Sequence, residues 1–166
     1  MGFVINPYDR CVANMDIDGK QCTIVWYVDD NKVSHQDPKV VTRIITEIEK
    51  HFGELKKTRG AEHNFLGMNI KLRKDKKIEI AMKQQIQDAI ESLGEDIEGE
   101  VSSPSAKHLM SVNDDENKLQ GKRRDTFHSV TEKLLYIEKR ARPDIEPTVA
   151  FLCTRVDRSD EDDWKN

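Results

Sequence analysis

The spacing of apolar positions changes several times along the chain, and each change marks an element. Cys11–Met15 and Lys20–Val28 are short apolar runs separated by Asp16-Ile17-Asp18-Gly19. Asp-Gly between two such runs predicts a β-hairpin, because the turn needs positive φ at its central residues. The second run, Cys22-Thr23-Ile24-Val25-Trp26-Tyr27-Val28, is almost unbroken in β-formers and predicts a central strand buried on both faces. It stops at Asp29-Asp30-Asn31, after which Lys32-Val33-Ser34 can return as a third strand. Val40, Val41, Ile44, Ile45, Ile48 and Phe52 then recur at helical spacing. Asp37 can cap this helix and Pro38 suits its first position. Lys50 and His51 suit the dipole of the last turn, and Gly53 can close it.

A second hairpin follows. Met68, Ile70 and Leu72 alternate with Asn69, Lys71 and Arg73, and Ile78 and Ile80 alternate with Lys77 and Glu79 across a Lys74-Asp75-Lys76 turn. One face is apolar and the other carries cations. Met82, Ile86, Ala89, Ile90 and Leu93 predict a helix closed by Gly94. Residues 95–124 show little periodicity and read as a flexible linker. A last helical region starts near Asp125 with Phe127, Val130, Leu134, Ile137 and Ala141 on one stripe; Pro143 ends it and Pro147–Val156 restarts it. The fold class is α+β: antiparallel strands with a packed helix, then a helical region.

Composition narrows the function classes. The 166 residues carry 27 Lys and Arg against 31 Asp and Glu, a net charge of −4. Leu, Ile, Val and Phe make up about a quarter of the chain, above the roughly 20% that signals disorder. A core can form, but a lean one. No apolar run approaches the roughly 18 residues of a membrane span, and Met1–Pro7 lacks the layout of a signal peptide. Cys11, Cys22 and Cys153 have neither disulfide-framework nor zinc-knuckle spacing, and suit small hydrophobes in a reducing, intracellular compartment. Charge is uneven. Lys56–Lys83 holds nine cations against Glu62, Asp75 and Glu79, whereas Gly94–Asn117 and the tail Asp157–Asp163 are acidic. A basic segment attracts phosphate backbones; a solvated Lys-rich hairpin is the plainer reading of the same residues.

Enzyme motifs with Gly-rich phosphate loops, His-Glu-x-x-His or Gly-x-Ser-x-Gly are absent, and the five His residues are scattered without ligand spacing. What remains is Tyr27-Val28-Asp29-Asp30. Two adjacent carboxylates at the end of an apolar strand repel each other unless a cation or water takes them up. Mg²⁺ uses such oxygens together with substrate phosphates; a polar turn is the alternative.

The order of motifs decides between them. Tyr-Val-Asp-Asp is followed by an amphipathic helix, by Phe65-Leu66-Gly67-Met68, by a second helix, and by Leu134-Leu135-Tyr136-Ile137 and Arg142-Pro143-Asp144-Ile145. This series closely resembles the reverse transcriptase of copia-type LTR retrotransposons, from Gly2-Phe3 to about Trp164. The resemblance implies a partial polymerase palm followed by a helical thumb-like region. It divides the chain into a palm remainder with both hairpins (1–81), a thumb-like helix and acidic linker (82–124), and a helical thumb and connection start with an acidic tail (125–166). Tyr27, Asp29 and Asp30 correspond to the catalytic tip, with Asp29 the principal metal ligand and Asp30 its support. Phe65, Leu66, Gly67 and Met68 correspond to the primer grip, and Lys71, Arg73 and Lys77 are placed to face nucleic acid. The implied activity is RNA-directed DNA polymerase with two Mg²⁺ ions. The implied partners are primer–template and deoxynucleotides, with an upstream polymerase segment, a downstream RNase H domain and no membrane. The implied location is the cytoplasm or nucleus.

Departures from the family pattern point the other way. Two-metal transfer needs carboxylates from two places, and the family's other essential Asp lies on a palm strand earlier than Met1. Asp9, between Tyr8 and Arg10, is not on an apolar strand. Glu132 and Ala141 stand where the family usually has Gly and Thr. The expectation is a reverse transcriptase fragment inactive alone, with a non-catalytic nucleic-acid-binding remnant as the alternative and an inert product of a truncated element as a third reading.

Overall fold

The computed structural model describes residues 1–95, 97, 99, 101–105, 110–112 and 117–165. The strands are β1 (Val4–Ile5), β2 (Val12–Ile17), β3 (Lys20–Tyr27), β4 (Asp30–Ser34), β5 (Glu62–Phe65), β6 (Met68–Leu72) and β7 (Ile78–Ala81). The helices are α1 (Pro38–Phe52), α2 (Lys83–Leu93), α3 (Gly121–Glu138), α4 (Glu146–Cys153) and α5 (Glu161–Lys165), with a 3₁₀ turn at Pro143–Ile145. This is the mixed α+β class that the pattern predicts, with two small antiparallel sheets. Among the described residues no helix is long and apolar enough to cross a membrane. The chain forms two compact units, Met1–Leu66 and Gly67–Asn166.

In the first unit the sheet order is β1-β2-β3-β4. Asp18 and Gly19 turn the β2–β3 hairpin with φ of 55° and 73°, and Asp16 Oδ1 accepts a hydrogen bond from the Gly19 amide at 2.9 Å. Asp37 caps α1 by accepting from the Lys39 amide at 2.8 Å, Pro38 begins it, and Gly53 ends it. Val40 and Ile44 on α1 pack against Ile17 and Cys22, with Phe3, Met15, Ile24, Val33 and Ile48 around them. Cys22 is fully buried, which pushes its thiol pKa up against the opposing pull of Arg43.

β3 is interior to the sheet, but its expected burial on both faces does not occur. One face lies under α1. On the other, Thr23 Oγ1 donates to Asn14 Oδ1 at 2.7 Å, and Gln21 Nε2 donates to Asn14 Oδ1 and Thr23 Oγ1 at 3.0 and 2.9 Å. Alternation within the apolar run therefore matters: Cys22 and Ile24 point in, and Thr23 joins a polar network. Phe52, expected on the buried stripe of α1, is 80% exposed in the last turn.

In the second unit β6 and β7 pair antiparallel, with Ile70 opposite Ile80 and Leu72 opposite Ile78. Met82, Ala89 and Ile137 form a core joined by Met68, Ile86 and Ala141. The hairpin's apolar face is covered only near Met68; Leu72 and Ile78, toward the turn, are more than half exposed. Gly94, in the left-handed region, closes α2. Much of the expected linker (residues 96, 98, 100, 106–109 and 113–116) lies outside the described residues. Its end does not stay a linker: Leu119 is buried beside Phe127 and Leu152, Lys118 bridges to Asp160, and α3 starts at Gly121.

The acidic tail is in part drawn into the fold. Arg155 is 1% exposed. Its Nε donates to both Asp163 carboxylate oxygens at 3.0 and 3.1 Å, and its Nη2 to Asp160 Oδ2 at 2.8 Å. Asp160 Oδ1 also accepts from the amides of Asp162 and Asp163 at 3.1 and 3.0 Å, so it caps α5. Burial pushes both carboxyl pKa values up. At Asp160 the Asp163 amide, Lys118 and Arg155 outweigh burial and hold it below the ordinary range, whereas Asp163 stays above its own.

Arg155→Ala leaves buried Asp163 without a cation and Asp160 with Lys118 alone, at 3.3 Å, and should cost about 3–5 kcal/mol. Urea unfolding followed by Trp164 fluorescence measures this. Arg155→Lys, which keeps the charge but loses the planar fork, should fall between. A loss of under about 1 kcal/mol in the Ala variant would mean that the network is not what holds this end of the chain.

Candidate functional site

The register of β3 and β4 places Tyr27 opposite Asp30, leaving Val28 and Asp29 as a two-residue turn. Such turns need positive φ at the first central residue, where Gly is the usual occupant. Here it is Val28, with φ of 53°. A β-branched residue in that region is strained, by roughly 1–2 kcal/mol, and at 87% exposure Val28 recovers nothing by burial. Asn31 Nδ2 donates to the Asp29 carbonyl at 3.2 Å. Tyr27, Asp29 and Asp30 are all exposed, and neither carboxylate has a side-chain hydrogen bond or ion pair among the described residues.

Two hard oxygen donors suit one Mg²⁺ shared with substrate phosphates. They do not by themselves make a two-ion site, and no group of three or more His, Cys, Asp or Glu that could hold a metal gathers among the described residues. Asp16 lies at the opposite end of β2, beside the other hairpin turn. Asp9 lies between β1 and β2, at the tip's end of the sheet, but its carboxylate accepts from the Cys11 amide at 2.8 Å.

Beside the two aspartates is a groove of about 450 Å³, walled by β4, by Val41, Ile45 and Ile48 of α1, and by residues 55–65. Lys32 Nζ meets His63 Nε2 within it. Burial lowers the Lys32 pKa; burial and then the Lys32 charge lower that of His63. No spacing signal pointed to His63, because its contact with Lys32 joins positions 31 residues apart.

The other expected site residues divide between the two units. Phe65 and Leu66 are half-buried in the first. Leu66 and Gly67, with φ of 49° and 70°, form the turn that leads into β6, and Met68 packs against the second unit's core. Arg73 lies 3.5 Å from Asp75 and 3.7 Å from Glu79, and Lys77 is 3.8 Å from Asp75, so hairpin acids partly neutralise these cations. Lys71 is exposed on β6, and Lys74 and Lys76 are exposed at the turn. Comparison of the chain with protein-family models, curated proteins and solved structures finds no match.

Val28→Gly should stabilise the first unit by roughly 0.5–1 kcal/mol, the relieved strain less the extra backbone entropy of glycine. An unfolding midpoint at or below that of the parent, read from Trp26 fluorescence, would rule out strain at the turn. Acid should act on the same unit through His63. Its folded pKa is depressed, so stability is complete above the unfolded value of about 6.5 and declines as pH falls toward the folded one. His63→Gln should flatten that decline in denaturation curves taken across this range.

Proposed function

We propose that this chain is the palm-and-thumb portion of a copia-type reverse transcriptase, an RNA-directed DNA polymerase that extends a primer 3′ hydroxyl with deoxynucleotides. The observation that carries the reading is the Tyr27–Asp30 turn. A strained valine holds two adjacent carboxylates in solvent at the end of an interior strand. Among the described residues nothing offsets the strain at Val28, and strain of this kind clusters at functional sites. Asp29 and Asp30 would hold an ion against the phosphates of the incoming nucleotide. Such an ion offsets the charge that develops on the transferred group, while the protein supplies position. Phe65, Leu66, Gly67 and Met68, folded around a tight turn, are the segment that would support the primer end. The non-catalytic alternative rests on the two aspartates lacking a third carboxylate beside them among the described residues; binding without extension is its signature.

Primer extension with Mg²⁺ tests both readings. The chain alone should bind primer–template without extending it. Joined to the upstream palm segment of a related element, it should extend. In that chimera Asp29→Asn should lower the rate by roughly 10²-fold or more, and Asp30→Asn by less. Extension by the chain alone, or a chimera indifferent to Asp29→Asn, would refute the role assigned to the turn. A chimera that binds but never extends would favour the non-catalytic reading.

A further inference from the structure

The groove beside β4 has features that primer extension does not use. Lys32, Lys56, Lys57 and Arg59 line it, against Asp29 and Asp30. Lys57 is neutralised by Glu49 at 2.6 Å. Arg59 donates to Thr42 Oγ1 at 3.0 Å rather than to an acid. Among the described residues Lys32, Lys56 and Arg59 have no carboxylate partner.

Lys32 matters most. An ammonium that leaves water ordinarily brings an acid with it. The side-chain atom that Lys32 meets is instead Nε2 of His63, a second base, beside the apolar wall of Val33, Ile45 and Leu55. Two bases in contact at a half-buried site leave positive charge uncompensated, and an anion between them would complete it. His35 points the same way. Its Nδ1 accepts from the Asp37 amide at 3.0 Å, which assigns the ring proton to Nε2. That Nε2 is buried with no hydrogen-bond partner, on a residue lining the same groove. A buried donor without an acceptor calls for one.

We propose that this groove binds a phosphate-bearing anion, held by Lys32, His35, His63 and Arg59. Phosphate fits better than carboxylate because its several oxygens can accept from donors on different walls at once, and the planar guanidinium matches it. The volume of about 450 Å³ falls within the roughly 300–1,000 Å³ of small-ligand sites. The inference does not rest on the polymerase reading, since it involves neither primer nor extension.

The test titrates inorganic pyrophosphate into the whole chain at low salt without divalent cations, following the histidine ring nitrogens by NMR. His35 and His63 should shift together and saturate, while exposed His51 and His128, outside the groove, should not follow them. Lys32→Met should weaken binding by roughly tenfold or more. The pair Lys56→Gln and Arg59→Gln, on exposed side chains, should weaken it without disturbing the fold. A short single-stranded oligonucleotide forms the second arm. If it shifts the same rings and competes with pyrophosphate, the phosphate is that of a nucleic-acid backbone. If only pyrophosphate does so, it is that of a free or nucleotide phosphate. Failure of both probes to shift His35 and His63 saturably, or variants that bind as tightly as the parent, would overturn the proposal.

Discussion

The packing of α1 across β3 at Cys22 is the constraint on which the first unit and its site depend. Cys22 is fully buried against Val40 and Ile44. Strand side chains alternate, so fixing Cys22 and Ile24 inward fixes Thr23 outward beside Asn14. The same contact holds Val33 opposite Ile24, which sets how many residues the chain has in which to turn. A slip of one position would send Ile24 to the polar face and bring the Thr23 hydroxyl under the helix. The two-residue turn at Val28-Asp29 is therefore imposed by a core that lies several residues away.

Local chemistry carried the elements it could reach. Asp18-Gly19, the Asp37-Pro38 start, Gly53 and Gly94 each act within a few residues of themselves, and each does in the structure what its residue type predicts. Features that depend on distant partners were not legible. The run from Cys22 to Val28 looks uniformly apolar, but whether one face or two are covered depends on how many layers pack on the sheet. Asp160 and Asp163 read only as part of an acidic tail; Arg155 lies nearby in sequence, but Lys118, which also reaches Asp160, is 42 residues away. Lys32 and His63 are separated by a strand end, a helix and a loop, so no spacing rule could pair them.

Charge shows the same division. The segment from Lys56 to Lys83 reads as a single basic stretch, yet its cations have different surroundings. On the β6–β7 hairpin, Arg73 and Lys77 face Asp75 and Glu79 of the same hairpin, and exposed pairs of this kind contribute little to stability and dull the local field. In the groove, Lys56 and Arg59 form no ion pair among the described residues. Counting charges along a sequence treats these as equal, whereas attraction for an anion depends on which cations are already compensated.

Departures from local rules gather around one end of the β3–β4 pair. Val28 holds a backbone angle suited to glycine, Asp29 and Asp30 stand side by side with no side-chain partner among the described residues, and Lys32, two residues further along β4, leaves water to meet a base. The β2–β3 turn at the other end of β3 carries no such strain: Asp18-Gly19 is a favourable turn pair, and Asp16 completes its hydrogen bonding. Strain of the kind Val28 carries, on a β-branched residue in the open, clusters where proteins bind or react.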